Sequence, residues 1–162
     1  MKRVTWAAAA ALVVSSTCAT AADTAGADTF VAMERAALDR WGRGDPRGYL
    51  EIMAPEVSYF DPGQGARVDG LQSMNDLLVP WTGKIKIDRY VMLSPKVQRH
   101  GDVAVLSFNL VNYRSQPDGS ERPVVRWNAT EVYGRVGGQW RIIHSHWSFV
   151  KPDLKQPIAE GF

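Results

Sequence analysis

The sequence predicts an α+β fold in which a curved antiparallel sheet wraps around helices that precede it in the chain. Two observations lead to this class. Up to about residue 80, apolar residues recur at spacings of three and four, as on amphipathic helices. From Ile85 onward, apolar and polar residues alternate in long stretches separated by glycine, proline and aspartate. Helices first and strands afterwards are typical of α+β domains.

The first 21 residues predict an export signal. Lys2 and Arg3 precede an apolar run, and the small residues Ala19 to Ala21 suit a signal peptidase. We expect cleavage near Ala21, one domain over residues 22–162, and a periplasmic or secreted location. The run is too short to span a bilayer, and no later stretch approaches the roughly 20 apolar residues of a membrane helix. We therefore expect no membrane partner.

Charge and cysteine content exclude several classes of function. Removing Lys2 and Arg3 from the 19 basic residues leaves 17, which equals the number of acidic residues. A neutral chain without clustered Lys and Arg predicts no nucleic-acid partner. The single cysteine, Cys18, falls within the predicted signal. The mature domain is therefore expected to lack disulfides, thiol catalysis and cysteine-bound metal.

Three helices are predicted before the sheet. The first is capped by Asp28 or Thr29, and the second by Asp45 with Pro46 at its first position. The third covers "LQSMNDLLVPW" at 71–81 and ends at Pro80. A strand, "VSYF" at 57–60, lies between the second and third helices. The apolar stripe of the first helix is Phe30, Met33, Ala37 and Trp41.

The last hairpin decides which side chains share a face. Its link, "RVGGQ", predicts a three-residue loop at 136–138, so that positions summing to 274 pair across the strands. Trp140 then lies on one face with the pairs Val132–Ile142, Thr130–His144, Asn128–His146 and Arg126–Ser148. We expect this face to line a cavity. A loop of two or four residues would instead separate the histidines from Asn128.

The opposite face of this hairpin predicts self-association. It carries Trp127, Trp147 and Phe149, which is too apolar for a sheet face in contact with water. We expect a second subunit to cover this convex face and the protein to be a homo-oligomer, as a dimer.

Four stretches resemble a known superfamily: "YFDPGQGARVDGL" at 59–71, "PKVQRHGDVAVLSF" at 95–108, "NATEVY" at 128–133 and "GQWRIIHSHWS" at 138–148. With them the chain resembles the nuclear-transport-factor-2-like superfamily, which includes the SnoaL-like proteins. It looks most like bacterial stand-alone relatives of the calcium/calmodulin-dependent kinase II association domain. The resemblance implies a cone-shaped fold, a homo-oligomer and a pocket between helices and sheet. It implies no single reaction, because this superfamily includes both enzymes and non-catalytic modules.

Two histidines, His144 and His146, are candidate site residues. At positions i and i+2 of a strand they lie on one face about 7 Å apart, but a metal needs further ligands. No acidic residue lies on the predicted face, so we expect no metal. Imidazole can exchange protons near neutral pH. We expect His146, nearer the mouth, to be catalytic and His144 to bind the ligand, with packing as the alternative role for each.

Asp61 and Tyr59 complete the predicted catalytic set. The resemblance implies a base at Asp61, because ketosteroid isomerases carry an Asp-Pro at the matching point. The tyrosine that these isomerases use as an oxyanion donor would fall near Ala37, and their protonated aspartate near Ala129, so this chain lacks both groups. The alternative for Asp61 is a turn starter, and for Tyr59 it is packing.

Arg126 is the candidate residue for binding an anionic group of the ligand. Association domains usually have an arginine where this chain has Leu110, so Arg126 would take that role here. Its alternative is a place on the rim of the cavity.

The remaining candidates would shape the ligand site. Asn128 is predicted to hydrogen-bond an oxygen of the ligand. Trp41 and Trp81 are predicted to line the site of an aromatic ligand, with packing in the core as the alternative. The chain contains no nucleotide or flavin fingerprint. These residues favour a lyase, dehydratase or isomerase without cofactors, which acts on a small, largely apolar molecule bearing a carbonyl or carboxylate. The alternative is a non-catalytic module for ligand binding or assembly.

Overall fold

The computed structural model describes residues 25–151, in which helices pack against one face of a six-stranded sheet. The predicted α+β class is confirmed, while the predicted signal lies outside the described residues. No helix in this part of the chain is long and apolar enough to cross a membrane. The elements are α1 (Ala27–Gly42), α2 (Arg47–Leu50), β1 (Met53–Phe60), β2 (Val68–Asp69), α3 (Leu71–Leu78), a 3₁₀ turn (Val79–Trp81), β3 (Arg89–His100), β4 (Val103–Ser115), β5 (Glu121–Val136) and β6 (Gln139–Phe149).

The strand order is β2-β1-β6-β5-β4-β3. Strands β3 to β6 form an antiparallel meander, whose shared register extends over most of their length. The expectation of a wholly antiparallel sheet is wrong at one pair, because β1 runs parallel to β6. This pairing places Tyr59 beside Ser145, and so brings the end of β1 next to the middle of β6.

The helices follow the predicted order. The predicted caps of α1 at Asp28 or Thr29 are wrong, because the helix begins directly after Gly26 with no side-chain cap. The predicted cap of α2 is wrong by one residue, because Pro46 is the N-cap and Arg47 the first helical residue. Asp45 lies just before the cap, where its Oδ1 accepts the Arg47 backbone N–H at 3.1 Å and its Oδ2 accepts Arg40 Nε of α1 at 2.7 Å. Asp45 therefore connects the start of α2 to α1.

The hairpin between β5 and β6 differs from the predicted one in two ways. Its loop has two residues, Gly137 and Gly138, whose positive φ angles of 57° and 79° suit the twist of the strands. A bulge follows at Ile143, because Tyr133 pairs with Ile142 whereas Val132 pairs with His144. The predicted sum-274 register is therefore wrong.

The bulge reverses the sides of β6. Ile142 lies on the inner face of the sheet, which we define as the face toward α1, but one extra residue turns His144 and His146 to the outer face. The inner face carries the aromatic residues that were assigned outward, Trp127, Trp147 and Phe149. The prediction that these three form a convex surface is wrong, since the chain's own helices pack on their side of the sheet.

Candidate functional site

A cavity of about 620 Å³ lies between the helices and the inner face of the sheet. Most of its wall is apolar, and its aromatic residues are Trp41, Tyr49, Tyr59, Trp81, Tyr113, Trp127 and Trp147. Polar side chains reach it at separate points, from Asp61, Asn112 and Ser145. This combination of an apolar wall with a few polar groups is typical of small-molecule sites.

Asp61 and Tyr59 form a hydrogen-bonded pair at the cavity wall. The Tyr59 hydroxyl donates to Asp61 Oδ2 at 2.8 Å, and the backbone N–H of Gly63 donates to Asp61 Oδ1 at 2.7 Å. Burial, with the adjacent Asp61 carboxylate, raises the pKa of Tyr59 far above its usual value. Tyr59 is therefore a neutral donor at any physiological pH, and it fixes the orientation of the Asp61 carboxylate.

Glu34 lies fully buried behind the cavity. It projects from α1 and accepts hydrogen bonds from the Tyr49 hydroxyl at 2.7 Å and the Tyr133 hydroxyl at 3.2 Å. Burial raises the pKa of Glu34 from 4.5 to about 7, although both hydrogen bonds oppose that rise. Tyr49 also lines the cavity, so the hydroxyl bound to this carboxyl group belongs to a residue of the ligand site.

Glu131 is a second fully buried carboxyl group, on the inner face of β5. Its Oε1 accepts the Ser145 hydroxyl at 2.9 Å and the Trp147 indole N–H at 2.8 Å. Burial, followed by the charge of Glu34, raises its pKa well above 4.5. Among residues 25–151 its Oε2 has no hydrogen-bond partner. Ser145 and Trp147 both line the cavity, and Glu131 holds their polar hydrogens.

Asn112 supplies a polar group at another part of the cavity. It lies on β4, its side chain is buried, and its Oδ1 has no hydrogen-bond partner within the described range 25–151. The exposed cations Lys84, Lys86 and Arg114 also line the cavity. Lys86 Nζ lies 3.7 Å from Asp88 Oδ1, which makes a weak surface ion pair.

The structure brings four of the predicted site residues to the cavity: Tyr59, Asp61, Trp41 and Trp81. Trp81 is about half exposed and Trp41 partly buried, so neither is a fully buried core residue. Whether any of the four takes part in binding or catalysis stays a prediction.

The other four predicted residues, Arg126, Asn128, His144 and His146, lie on the outer face of the sheet. Asn128 accepts a hydrogen bond from Asn109 at 2.8 Å across that face. His144 Nδ1 lies 2.8 Å from the Ser58 hydroxyl, and burial lowers its pKa. The prediction that these four line the cavity is wrong, because the bulge at Ile143 turns the histidines outward and β5 turns Ala129 and Glu131 inward, which leaves Asn128 and Arg126 on the outer face.

Within residues 25–151, no three histidine, cysteine or acidic side chains lie close enough together to share a metal ion. The polar residues at the cavity can instead hold oxygen or nitrogen groups of an organic molecule.

Sequence reasoning missed Glu34, Glu131 and Asn112. Glu34 lies four residues after Phe30 and four before Leu38, in the middle of the buried stripe of α1. Glu131 interrupts the apolar inner face of β5 between Ala129 and Tyr133. A lone carboxylate within an apolar stripe was the available signal for both. Asn112 follows the buried Leu110 on the same face of β4, and gives a weaker signal of the same kind.

Comparison with known protein families places this cavity in context. A family model for the SnoaL-like domain matches residues 31–152. The chain belongs to the SnoaL-like family. A search of curated protein sequences gives no significant match.

Solved structures show the same fold. A protein from Parabacteroides distasonis, provisionally assigned as a ketosteroid isomerase, is 33% identical, with a TM-score of 0.68 over 80% of this chain and 92% of that one. The association domain of C. elegans calcium/calmodulin-dependent kinase II is 20% identical, with a TM-score of 0.63 over 75% and 93% of the two chains. A nuclear-transport-factor-2-like protein of Pseudomonas putida is 23% identical, with a TM-score of 0.62 over 75% and 84%. The last two show the nuclear-transport-factor-2-like fold alone.

Proposed function

We propose that this SnoaL-like protein is a cofactor-independent acid/base enzyme of the lyase, dehydratase or isomerase type. Its substrate is a small, largely apolar molecule with a carbonyl or carboxylate group. The observation that carries the proposal is the Asp61 carboxylate, oriented by Tyr59 at 2.8 Å, in the wall of an aromatic cavity. The similarity to the P. distasonis protein supports the same class of chemistry.

The proposed step is proton abstraction next to a carbonyl group. Asp61 takes the proton, the C–H bond breaks, and its electron pair moves onto the carbonyl oxygen to give an enolate. Protonated Asp61 no longer needs the hydrogen bond from Tyr59, so that hydroxyl can turn and donate to the enolate oxygen. Return of the proton at another carbon completes an isomerisation, and loss of a β-leaving group completes an elimination.

The test is exchange of substrate protons with solvent deuterium. 2-Tetralone, an aromatic ketone with acidic α-protons, is followed by NMR in D₂O with and without the protein. We expect exchange above the buffer rate, and a fall of roughly 10²- to 10⁴-fold in Asp61→Asn. Asp69→Asn is the matched control, because Asp69 is exposed and pairs with Arg67 at 2.7 Å. Equal exchange by wild type and Asp61→Asn would contradict the role of Asp61.

A second function, a non-catalytic binding module, is favoured by one observation. The Asp61 carboxylate already accepts two hydrogen bonds, from Tyr59 and Gly63, so it has a structural role in the turn that follows β1. Tight binding of 2-naphthol, an enolate mimic, without any exchange of 2-tetralone protons would favour this module over the enzyme.

We also infer export and self-association. The charged, apolar and small-residue pattern of the first 21 residues supports export, and an exported protein has little access to nucleotide cofactors. The similarity to an association domain supports a homo-oligomer. With Trp127 and Trp147 turned inward, the outer face of the sheet is the surface proposed for contact between copies, and it carries the exposed Phe60, Leu93 and Val103.

A further inference from the structure

We propose that Asn112 forms a second polar subsite of the cavity, which binds a neutral hydrogen-bond donor, a hydroxyl or amide N–H, at the end of the substrate remote from the reacting carbon. This inference deepens the proposed function and rests on the cavity being the substrate site. It adds a substrate class, because it requires a polar group at each end of an apolar molecule.

The side chain of Asn112 destabilises the folded protein unless a ligand forms a hydrogen bond with it. The residue is only 8% exposed, and its Oδ1 has no hydrogen-bond partner within residues 25–151. A buried acceptor without a partner destabilises a fold, whereas an apolar side chain of the same shape at that place would not. Because Asn112 lines the cavity, a ligand can supply the missing donor.

The register separates Asn112 from the proposed reacting end. Phe60 pairs with His146, so Asp61 follows it at the level of Trp147, which pairs with Ala129. Asn112 pairs with Val125, four positions before Ala129 along β5. Four residues of strand correspond to roughly 13 Å, and strands β6 and β5 also lie between β1 and β4. The two polar subsites therefore lie at different ends of the cavity.

The wall between the two ends is apolar, and the charges near Asn112 restrict the donor. Leu110 and Trp127 pair with each other between the two rows and line the cavity. An unpartnered oxygen could accept from an ammonium, a hydroxyl or an amide. Three cations, Lys84, Lys86 and Arg114, line the same cavity against two acids, Asp88, which pairs with Lys86, and Asp61 at the reacting end, and this excess of positive charge disfavours an ammonium.

The experiment uses two matched series of 2-naphthols, each carrying an alkyl chain of varied length at carbon 6. One series ends in a hydroxyl group and the other in a methyl group at the same place. Calorimetry measures Kd for each pair. For wild type we expect the hydroxyl probe to bind roughly tenfold more tightly at one best chain length, and no preference at shorter lengths.

Asn112→Leu keeps the approximate shape and removes the acceptor. We expect it to abolish the hydroxyl preference while raising the Tm, because the unpartnered polar group is gone. Asn109→Leu is the matched control on the same strand. Asn109 is exposed on the outer face and donates to the Trp127 carbonyl at 3.2 Å, so its loss should leave the probe preference unchanged. Asn112→Ser keeps a shorter acceptor, and should move the best chain length to a longer probe.

Three results would overturn the inference: equal binding of both series at every length, a hydroxyl preference that persists in Asn112→Leu, or no binding of any probe. Deuterium exchange separates this failure from failure of the proposed reaction. Absence of exchange with an intact hydroxyl preference would refute the enzyme and support the subsite. Exchange that depends on Asp61, without any hydroxyl preference, would support the enzyme and refute the subsite.

Discussion

Burial of Glu34 makes the stability of the fold depend on pH in the opposite direction to most carboxylates. The pKa of Glu34 rises from 4.5 to about 7 on folding, so the folded state holds this proton more tightly than the unfolded state. The stabilising contribution is complete below about pH 4.5, and is lost as the pH rises to about 7. The shift corresponds to roughly 3 kcal/mol, or roughly 10 °C in Tm for a domain of this size.

Glu34→Gln tests this reasoning. Glutamine can keep an acceptor toward Tyr49 and has no charge to bury, so we expect the fall in stability between pH 5 and 8 to shrink by most of that amount. Urea denaturation followed by tryptophan fluorescence at several pH values gives the free energy of unfolding directly. Glu131 titrates in the same direction, so adding Glu131→Gln should remove the rest of the fall and leave only the small rise toward pH 6.5 that the lowered pKa of His144 contributes.

The control is Glu56→Gln, at an exposed carboxylate on β1. It should reproduce the wild-type slope. A wild-type stability that rises between pH 5 and 8, or an identical profile in Glu34→Gln, would refute the assignment of this proton to Glu34.

Two further predictions concern the hairpin and the assembly. Gly137 has a φ of 57°, which asparagine tolerates and valine does not. Gly137→Asn should therefore keep or slightly raise the free energy of unfolding measured by urea denaturation, whereas Gly137→Val should lower it by roughly 1–2 kcal/mol. Equal stabilities of the two variants would contradict the two-residue loop. Light scattering of residues 22–162 should give twice the monomer mass. Phe60 is 43% exposed on the outer face proposed for contact between copies, so Phe60→Glu should be monomeric. A monomeric wild type would contradict self-association.

The sequence predicted the elements well, because their signals are local. The spacing of Phe30, Ala37 and Trp41 marks α1, and alternation marks β3 to β6. Asp61 and Tyr59 were also predicted at the cavity, because a strand that ends in Asp-Pro brings both to its rim. Each of these inferences needed only the neighbouring residues and one resemblance.

The side of the last strand could not be predicted in the same way. Two adjacent glycines permit either a two-residue or a three-residue loop, and a bulge at Ile143 leaves no distinct mark in an apolar strand. The difference is one residue, yet it exchanges the inner and outer faces. The buried carboxyl groups could not be predicted from the sequence for a related reason. Glu131 shares a face with Trp127, and because that face was predicted to contact a second subunit, its carboxyl group was not assigned to the cavity; the register places it on the inner face.

The bulge at Ile143 also decides which side chains of β6 line the cavity of this chain. Residues 144 to 149 alternate between two unlike sets, histidines and serine on one side and serine with aromatics on the other. Loss of one residue near Ile143 would present the other set to the ligand, with every remaining side chain unchanged. A single-codon deletion in β6 could thus replace a tryptophan-walled site by an imidazole-walled one, a step that no series of single substitutions achieves as directly.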